Sequence, residues 1–216
     1  MIKKHLFVEG EEDDKFFRSL SRKLSINDLC VKGDPPTKGK AIDAFLAVLK
    51  SLTEASSDRV GLVIDADFIE NGGGLEKTKN MLNERLVDIG WQRLNKSEDG
   101  FCVRHLSKVG NKVGVWIMPD NLSDGYFEGM ILEVVAPCQR SLVAHASKEV
   151  DALMKGGKRL PPVSIKSHHK EKSQVGTWLA WSDPPRMSIG KALDKNLVNI
   201  DNKSSLSKWM IDLYLK

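Results

Sequence analysis

The run RVGLVIDAD at positions 59–67 constrains the fold of this chain more than any other feature of its sequence. It is almost continuously apolar up to Ile64 and then ends in two acids, Asp65 and Asp67. Near-continuous apolar strands are typical of parallel sheets, in which helices cover both faces. A glycine-rich loop follows, and apolar spacing predicts a helix from about Leu75 to Ile89. The run therefore predicts a buried parallel strand with two carboxylates at its carboxyl end.

The same alternation of strand and helix recurs along the N-terminal part of the chain. Apolar runs predict further strands at His5–Val8, near Leu29–Val31, once between Trp91 and Leu106, and over KVGVWIM, which stops at Pro119. Helical spacing predicts helices at Asp13–Leu24 and Ala41–Leu52. Strands that alternate with helices are typical of α/β proteins. We therefore predict a largely parallel sheet flanked by helices.

The C-terminal part of the sequence has a different pattern. From Tyr126 onward the spacing is helical, with breaks at GGKRLPP (156–162) and SDPP (182–185). This change predicts an α/β core over residues 1–138 and a helical C-terminal extension over 139–216 that packs on the core.

Composition narrows the setting in which the chain works. No apolar run is long enough to cross a bilayer, and the apolar patch near the N-terminus is shorter than a secretory signal requires. Cys30, Cys102 and Cys138 form no CxxC pair, so we expect reduced thiols. We therefore expect a cytoplasmic protein without a membrane partner. The net charge of +4 is compatible with a polyanionic partner.

Acidic residues follow three of the predicted strands. Glu9, the pair Asp65 and Asp67, and Asp120 each come directly after an apolar run. In open parallel sheets ligands bind beyond the carboxyl ends of the strands, and carboxylates that converge there repel one another unless a cation joins them. Oxygen ligands suit hard cations, whereas zinc favours cysteine and histidine. The pattern therefore predicts a Mg²⁺ (or Mn²⁺) site.

Three strings of residues resemble the Toprim superfamily. HLFVEGEEDDKFF is similar to the first Toprim motif, a strand that ends in Glu-Gly with an acid, here Asp13, three residues after the glycine. GLVIDADF is similar to the second, a strand that ends in Asp-x-Asp. VWIMPDNLSDGYFEGMILE resembles a branch of small, stand-alone Toprim-like proteins of uncharacterised function related to old-family nucleases. Together the strings cover roughly residues 2–135.

The resemblance implies the fold of topoisomerases, primases, old-family nucleases and ribosomal-RNA maturation nucleases. It implies that Glu9 acts as acid or base near the reacting phosphate and that Asp65 and Asp67 hold magnesium. Glu128, three residues after Gly125, matches the branch pattern.

Three further acids are candidates for other parts of the predicted site or for structural roles near it. Asp120 and Glu133, together with Glu128, are candidates for a second metal ion or for its outer shell. Asp120 also suits an ordinary turn. We expect Asp13 to serve mainly as a helix-start residue.

A basic cluster in the string IKSHHKEKSQVGTWLAW (165–181) leads into an amphipathic helix. Such clusters are usually solvated helix faces, with the tryptophans in the core. Alternatively, Lys166, Lys170 or Lys172 reaches a phosphate group or the transition state, as in nucleases that pair a metal ion with a lysine. Among the three we expect Lys170 to be the catalytic lysine. The loop GDPPTKGKA, by contrast, lacks the spacing and the Ser or Thr of a phosphate-binding P-loop.

The leading functional hypothesis is a Mg²⁺- or Mn²⁺-dependent nuclease, or a related phosphodiester-processing enzyme, that acts on DNA or RNA. The resemblance also implies a candidate role as effector of a phage-defence system with a separate ATPase partner. The alternative is a non-catalytic metal- or nucleotide-binding module with a regulatory or docking role. A topoisomerase would need domains that support its tyrosine nucleophile, and a bacterial primase would usually bring a zinc ribbon. A dehalogenase-like phosphatase fits poorly, and a glycosyltransferase stays open.

Overall fold

The structure is a computed structural model that describes residues 2–33, 37–155, 166 and 169–216. The strands in these residues are β1 (Lys4–Phe7), β2 (Leu29–Lys32), β3 (Arg59–Asp65), β4 (Asn95–Ser97), β5 (Gly100–Val103) and β6 (Lys112–Met118). They form one sheet in the order β2-β1-β3-β6-β5-β4. The first four strands in this order are parallel to one another, β5 is antiparallel to β6, and β4 is antiparallel to β5. The predicted α/β class with a largely parallel sheet is confirmed.

Helices lie on both sides of this sheet. They are α1 (Glu11–Lys23), α2 (Lys38–Ser51), α3 (Leu75–Asp88), α4 (Phe127–Glu133), α5 (Arg140–Lys155), α6 (Lys170–Ala180), α7 (Ile189–Asp194) and α8 (Ser205–Tyr214). No helix in the described ranges combines the length and the apolar character needed to span a membrane. The predicted break at 156–162 falls outside the described residues, and SDPP lies between α6 and α7.

The segment between α3 and β6 differs from its prediction. One short strand was expected there, but β4 and β5 form a two-stranded hairpin in which Ser97 pairs with Gly100. The sequence of β4, Asn-Lys-Ser, has no apolar alternation because this strand lies at the edge of the sheet and its first two residues are exposed. Sequence patterns that depend on burial therefore miss it.

Alternate residues of the strands enter two separate hydrophobic clusters. Phe7, Leu62 and Ile64 face the cluster that includes α2 and α3. Leu6 and Val63 face the larger cluster, which includes side chains of α1, α4 and all the later helices. Because successive strand residues point to opposite faces, this division follows directly from the pleat of the sheet.

The C-terminal helices share the core of the sheet. Trp178 of α6, together with Trp209 and Tyr214 of α8, belongs to the same buried cluster as Leu6 of β1. The division into an α/β core over residues 1–138 and a helical extension over 139–216 stays a prediction.

Glycines in the strands make room for α8. A methyl group on Gly61 of β3 would lie 2.3 Å from the hydroxyl oxygen of Tyr214, which donates a hydrogen bond of 2.7 Å to the carbonyl of His5. A methyl group on Gly114 of β6 would lie 3.0 Å from Nε1 of Trp209. These close approaches hold α8 against the central strands.

We predict that Gly61→Ala destabilises the protein by about 2 kcal/mol, because the added methyl group overpacks the core and displaces the Tyr214 hydroxyl. The matched control is Gly176→Ala in α6, where an added methyl group meets nothing within 4 Å. That variant should be stabilised by about 0.5–1 kcal/mol, the usual helix preference for alanine. Urea denaturation measures both changes. Equal stability of Gly61→Ala and wild type would contradict this account of the packing.

Candidate functional site

The carboxyl ends of β1 and β3 bring two of the predicted site residues together. In the parallel register Phe7 lies opposite Leu62, so the chain just beyond β1 runs beside the end of β3. Oε1 of Glu9 accepts a hydrogen bond of 3.1 Å from the backbone N–H of Asp65. Glu9 and Asp65 are therefore direct neighbours, as the strand-end pattern predicted.

The segment beyond β3 is tied to the start of α4. Asp67 and Gly125 exchange two backbone hydrogen bonds of 2.9 and 3.1 Å. Oδ1 of Asp65 accepts a hydrogen bond of 2.8 Å from the N–H of Phe127. Gly125 has a φ of +145°, which is strained for any residue with a side chain. The glycine therefore allows the backbone path that carries Glu128 to the end of β3.

A small pocket forms where these segments meet. Its volume is about 160 Å³. It is lined by Glu9, Gly10, Asp13, Asp65, Phe127, Glu128 and Lys172. We call it the acidic pocket, because four of its lining side chains are carboxylic acids.

Burial and mutual repulsion make these carboxyl groups hard to ionise. Burial raises the pKa of Glu9 to about 7, against the opposing attraction of Lys38 and the hydrogen bond from Asp65. Burial, followed by the charges of Glu9 and Glu128, raises the pKa of Asp65 well above its usual range. Burial likewise raises the pKa of Asp13 well above its usual range, followed by the charges of Asp65 and Glu128. Such a group of acids is stabilised by any cation that enters it.

Lys172 of α6 supplies one positive charge at the rim of the acidic pocket. Its Nζ lies 4.0 Å from Oε1 of Glu128 and 5.7 Å from the centre of the Tyr126 ring. Burial lowers the pKa of Lys172, but the attraction of Glu128, Asp65 and the other acids outweighs burial and raises it. Lys172 therefore stays charged at neutral pH.

Asp67 does not line the acidic pocket, although it is only two residues from Asp65. Its Oδ2 accepts a hydrogen bond of 2.7 Å from Nζ of Lys38, at the start of α2. Asp67 has a left-handed backbone with a φ of +62°, so the two aspartates no longer follow the geometry of an extended strand. Asp65 therefore lines the acidic pocket, whereas Asp67 lies outside it and pairs with Lys38.

Three other predicted residues lie in a neighbouring cavity. Asp120, Glu133 and Lys170 line this space, whose volume is about 470 Å³. Oδ1 of Asp120 accepts hydrogen bonds from the N–H groups of Leu122 and Ser123, so Asp120 caps its own turn. Nζ of Lys170 lies 3.0 Å from a carboxylate oxygen of Asp151. Lys166 is exposed, and neither it nor Lys170 lines the acidic pocket.

The acidic pocket has the donor types that a hard cation prefers, although its ligands are not preassembled. Oε2 of Glu128 is buried and has no hydrogen-bond partner among the residues that the structure describes. As the side chains stand, no three acidic, histidine or cysteine side chains in the described part of the chain form a group that could hold a metal ion. One oxygen each of Glu9 and Asp65 is engaged by a backbone N–H. The residue types therefore fit Mg²⁺ or Mn²⁺, and their side chains would have to turn to complete a ligand set.

Sequence patterns underestimated three residues near this site. Asp13 was expected mainly to start a helix, yet it lines the pocket, and its place three residues after the Glu-Gly pair was the available signal. Lys172 was one of three candidate lysines. The orientation of α6 about its own axis decides that Lys172, and not Lys170, lines the acidic pocket. Lys38 had no signal, because its pairing with Asp67 depends on how α2 meets the end of β3.

Comparisons with known proteins give a family and no activity. A family model described as "Protein of unknown function (DUF3226)" matches residues 3–215 of the chain. No curated protein and no solved structure matches it.

We predict a pH dependence of stability that originates from Glu9. Because the pKa of Glu9 is raised from 4.5 to about 7 in the metal-free protein, the folded state holds a proton that the unfolded state has lost between these values. Relative to Glu9→Gln, the free energy of unfolding of the wild type should therefore fall as pH rises through this interval, by up to about 1.4 kcal/mol per pH unit. Above it the difference should level off.

Urea denaturation in the presence of EDTA at a series of pH values measures this difference. Glu133→Gln is the control, because Glu133 is exposed at the end of α4 and its replacement should leave the slope of the wild type unchanged. A wild type that gains stability relative to Glu9→Gln over the same pH interval would show that burial does not raise the pKa of Glu9 in the folded protein.

Proposed function

We propose that this chain, which belongs to the DUF3226 family, is a Mg²⁺- or Mn²⁺-dependent nuclease or a related phosphodiester-processing enzyme that acts on DNA or RNA. The observation that carries the proposal is the acidic pocket, where carboxyl groups from the loop after β1 and from α1, β3 and α4 meet a lysine from α6. Buried like charges are costly, and sites that retain them are often functional. The Toprim-like motifs at Glu9 and Asp65 support the same assignment.

The proposed ligands of the ion are the carboxyl groups of the acidic pocket. Asp65 and Glu128 are the central pair, because Asp65 is only 7% exposed and Oε2 of Glu128 is buried without a hydrogen-bond partner in the described part of the chain. Asp13 completes the oxygen set, while Glu9 lines the same pocket beside these ligands. When bound, a divalent ion would polarise a phosphate group and neutralise charge on its oxygens. A volume of about 160 Å³ leaves room for an ion and a phosphate oxygen, while the rest of a nucleic acid would stay outside.

Lys172 is the proposed catalytic lysine in place of Lys170. Its ammonium group faces the rim of the acidic pocket, where a phosphate would approach the ion. The ring of Tyr126 lies beside the ammonium group and limits where it can go. Phosphoryl transfer depends mainly on positioning and on charge stabilisation, and a fixed ammonium group supplies both. Lys170 pairs with Asp151 and lines the neighbouring cavity.

Glu9 is the proposed acid or base. Its carboxyl group has a pKa of about 7, so in the metal-free site it gains and loses a proton near neutral pH. General acid–base catalysis is most effective when the pKa of the group lies close to the working pH. The carboxyl group of Glu9 accepts a hydrogen bond from the N–H of Asp65, which holds it at the carboxyl end of β3.

One observation favours the non-catalytic alternative, a metal- or nucleotide-binding module. Within the described residues no ligand set is preassembled. This is expected of a binding site that assembles only when its ligand or a partner binds. The proposed partner in that case is the separate ATPase, and co-purification tests it. Metal binding without cleavage, with or without that partner, would favour this alternative over the nuclease.

We predict that the purified protein cleaves DNA or RNA in the presence of Mg²⁺ or Mn²⁺ and that Asp65→Asn lowers the rate by roughly 100-fold or more. The matched comparison is Asp120→Asn, because Asn can still cap the turn that Asp120 caps. Its rate should stay within a few-fold of the wild type. Gel assays with labelled single- and double-stranded substrates measure both rates. Cleavage that is absent in the wild type, or equal in wild type and Asp65→Asn, would refute the proposal.

The choice of lysine has its own test. Lys172→Met should lower the cleavage rate by on the order of 100-fold, because a positive charge at the phosphate is lost. Lys170→Met, on the same helix, removes only a surface ion pair and should change the rate by less than about threefold. The reverse order of the two effects would assign the catalytic role to Lys170.

A further inference from the structure

We infer that the ammonium group of Lys38 occupies the position of a second metal ion, so that the site binds one divalent ion rather than two. The inference rests on the proposed function, because it concerns the ion-binding capacity of the same group of acids. It explains why Asp67, the second acid of the Asp-x-Asp pair, does not line the acidic pocket.

Lys38 is held from two sides at the edge of the site. Its Nζ donates hydrogen bonds of 2.7 Å to Oδ2 of Asp67 and 3.2 Å to the hydroxyl oxygen of Thr78 on α3. Thr78 in turn donates to the carbonyl of Ala66, between the two aspartates. The ammonium group therefore has fixed partners on α3 and at the end of β3, as a bound cation would.

Asp67 cannot easily turn away from this lysine. Its left-handed backbone is held by the two hydrogen bonds with Gly125. On its other side the chain passes so close that a methyl group on Gly73 would lie 2.3 Å from Cβ of Asp67. With its backbone fixed in this way, the carboxylate of Asp67 faces the position that Lys38 fills.

The charge of Lys38 also acts on the acidic pocket itself. It attracts the carboxylate of Glu9, and this is the largest effect that opposes the rise in the pKa of Glu9. The ammonium group is thus hydrogen-bonded to Asp67 and within electrostatic reach of Glu9. A second ion in a two-metal site acts in the same way on the acids around it. Lys38 and Asp67 are 22% and 33% exposed, so solvent only partly screens the pair.

The test is the number of Mn²⁺ ions that the full chain binds after removal of metals with EDTA. Titration calorimetry should find one ion in the wild type and two in Lys38→Met, in which Asp67 is freed. Lys40→Met is the matched control, because Lys40 is an exposed lysine on the same helix whose side chain has no hydrogen bond or ion pair among the described residues. It should bind one ion. Electron paramagnetic resonance should show two coupled Mn²⁺ ions in Lys38→Met alone.

Two results would overturn the inference: one uncoupled ion in Lys38→Met, or two ions already in the wild type. The absence of Mn²⁺ binding from the wild type and both variants would instead refute the proposed metal site, and the inference would fall with it. The two failures are thus distinguishable. Circular dichroism of each variant shows whether it is folded, and Lys38→Ala repeats the test if Lys38→Met is not.

Discussion

The connection between the end of β3 and the start of α4 is the constraint on which the site depends. Two backbone hydrogen bonds join Asp67 to Gly125, and the carboxylate of Asp65 accepts the N–H of Phe127. These bonds bring a helix from later in the chain onto the carboxyl edge of the sheet, and with it Glu128. Without them β3 would end in two solvated aspartates, as many strands do. The connection converts a local acidic turn into a site built from several elements.

Electrostatic repulsion is the consequence of this connection. Burial of the acids that it brings together raises the pKa of Asp13 and of Asp65, and the like charges of their neighbours raise both further. Two lysines relieve the repulsion: Lys172 at the rim of the acidic pocket and Lys38 beside Asp67. The remaining negative charge is what a divalent ion would neutralise. The same arrangement that makes the metal-free site unfavourable would therefore favour ion binding.

The parts of the fold that rest on burial were predictable from the sequence. The apolar run before Asp65 predicts a parallel strand, because both faces of such a strand are covered. By contrast, β4 is exposed at the edge of the sheet, and its sequence has no apolar pattern. Glu9 and Asp65 follow from strand ends, which parallel register aligns automatically. The placement of Lys38 and Lys172 could not be predicted in this way, because it depends on the rotation and docking of helices. The left-handed backbone of Asp67 likewise depends on Gly125, far away in the sequence.

The central claim is that the acidic pocket binds a divalent ion. Anomalous diffraction from a crystal soaked in Mn²⁺ tests this most directly, because it locates the metal without reference to activity. We expect a single anomalous peak in the acidic pocket, about 2.1 Å from carboxylate oxygens of Asp65 and Glu128. A pocket without a peak at saturating Mn²⁺, or a peak at Asp120 in the neighbouring cavity instead, would contradict the claim.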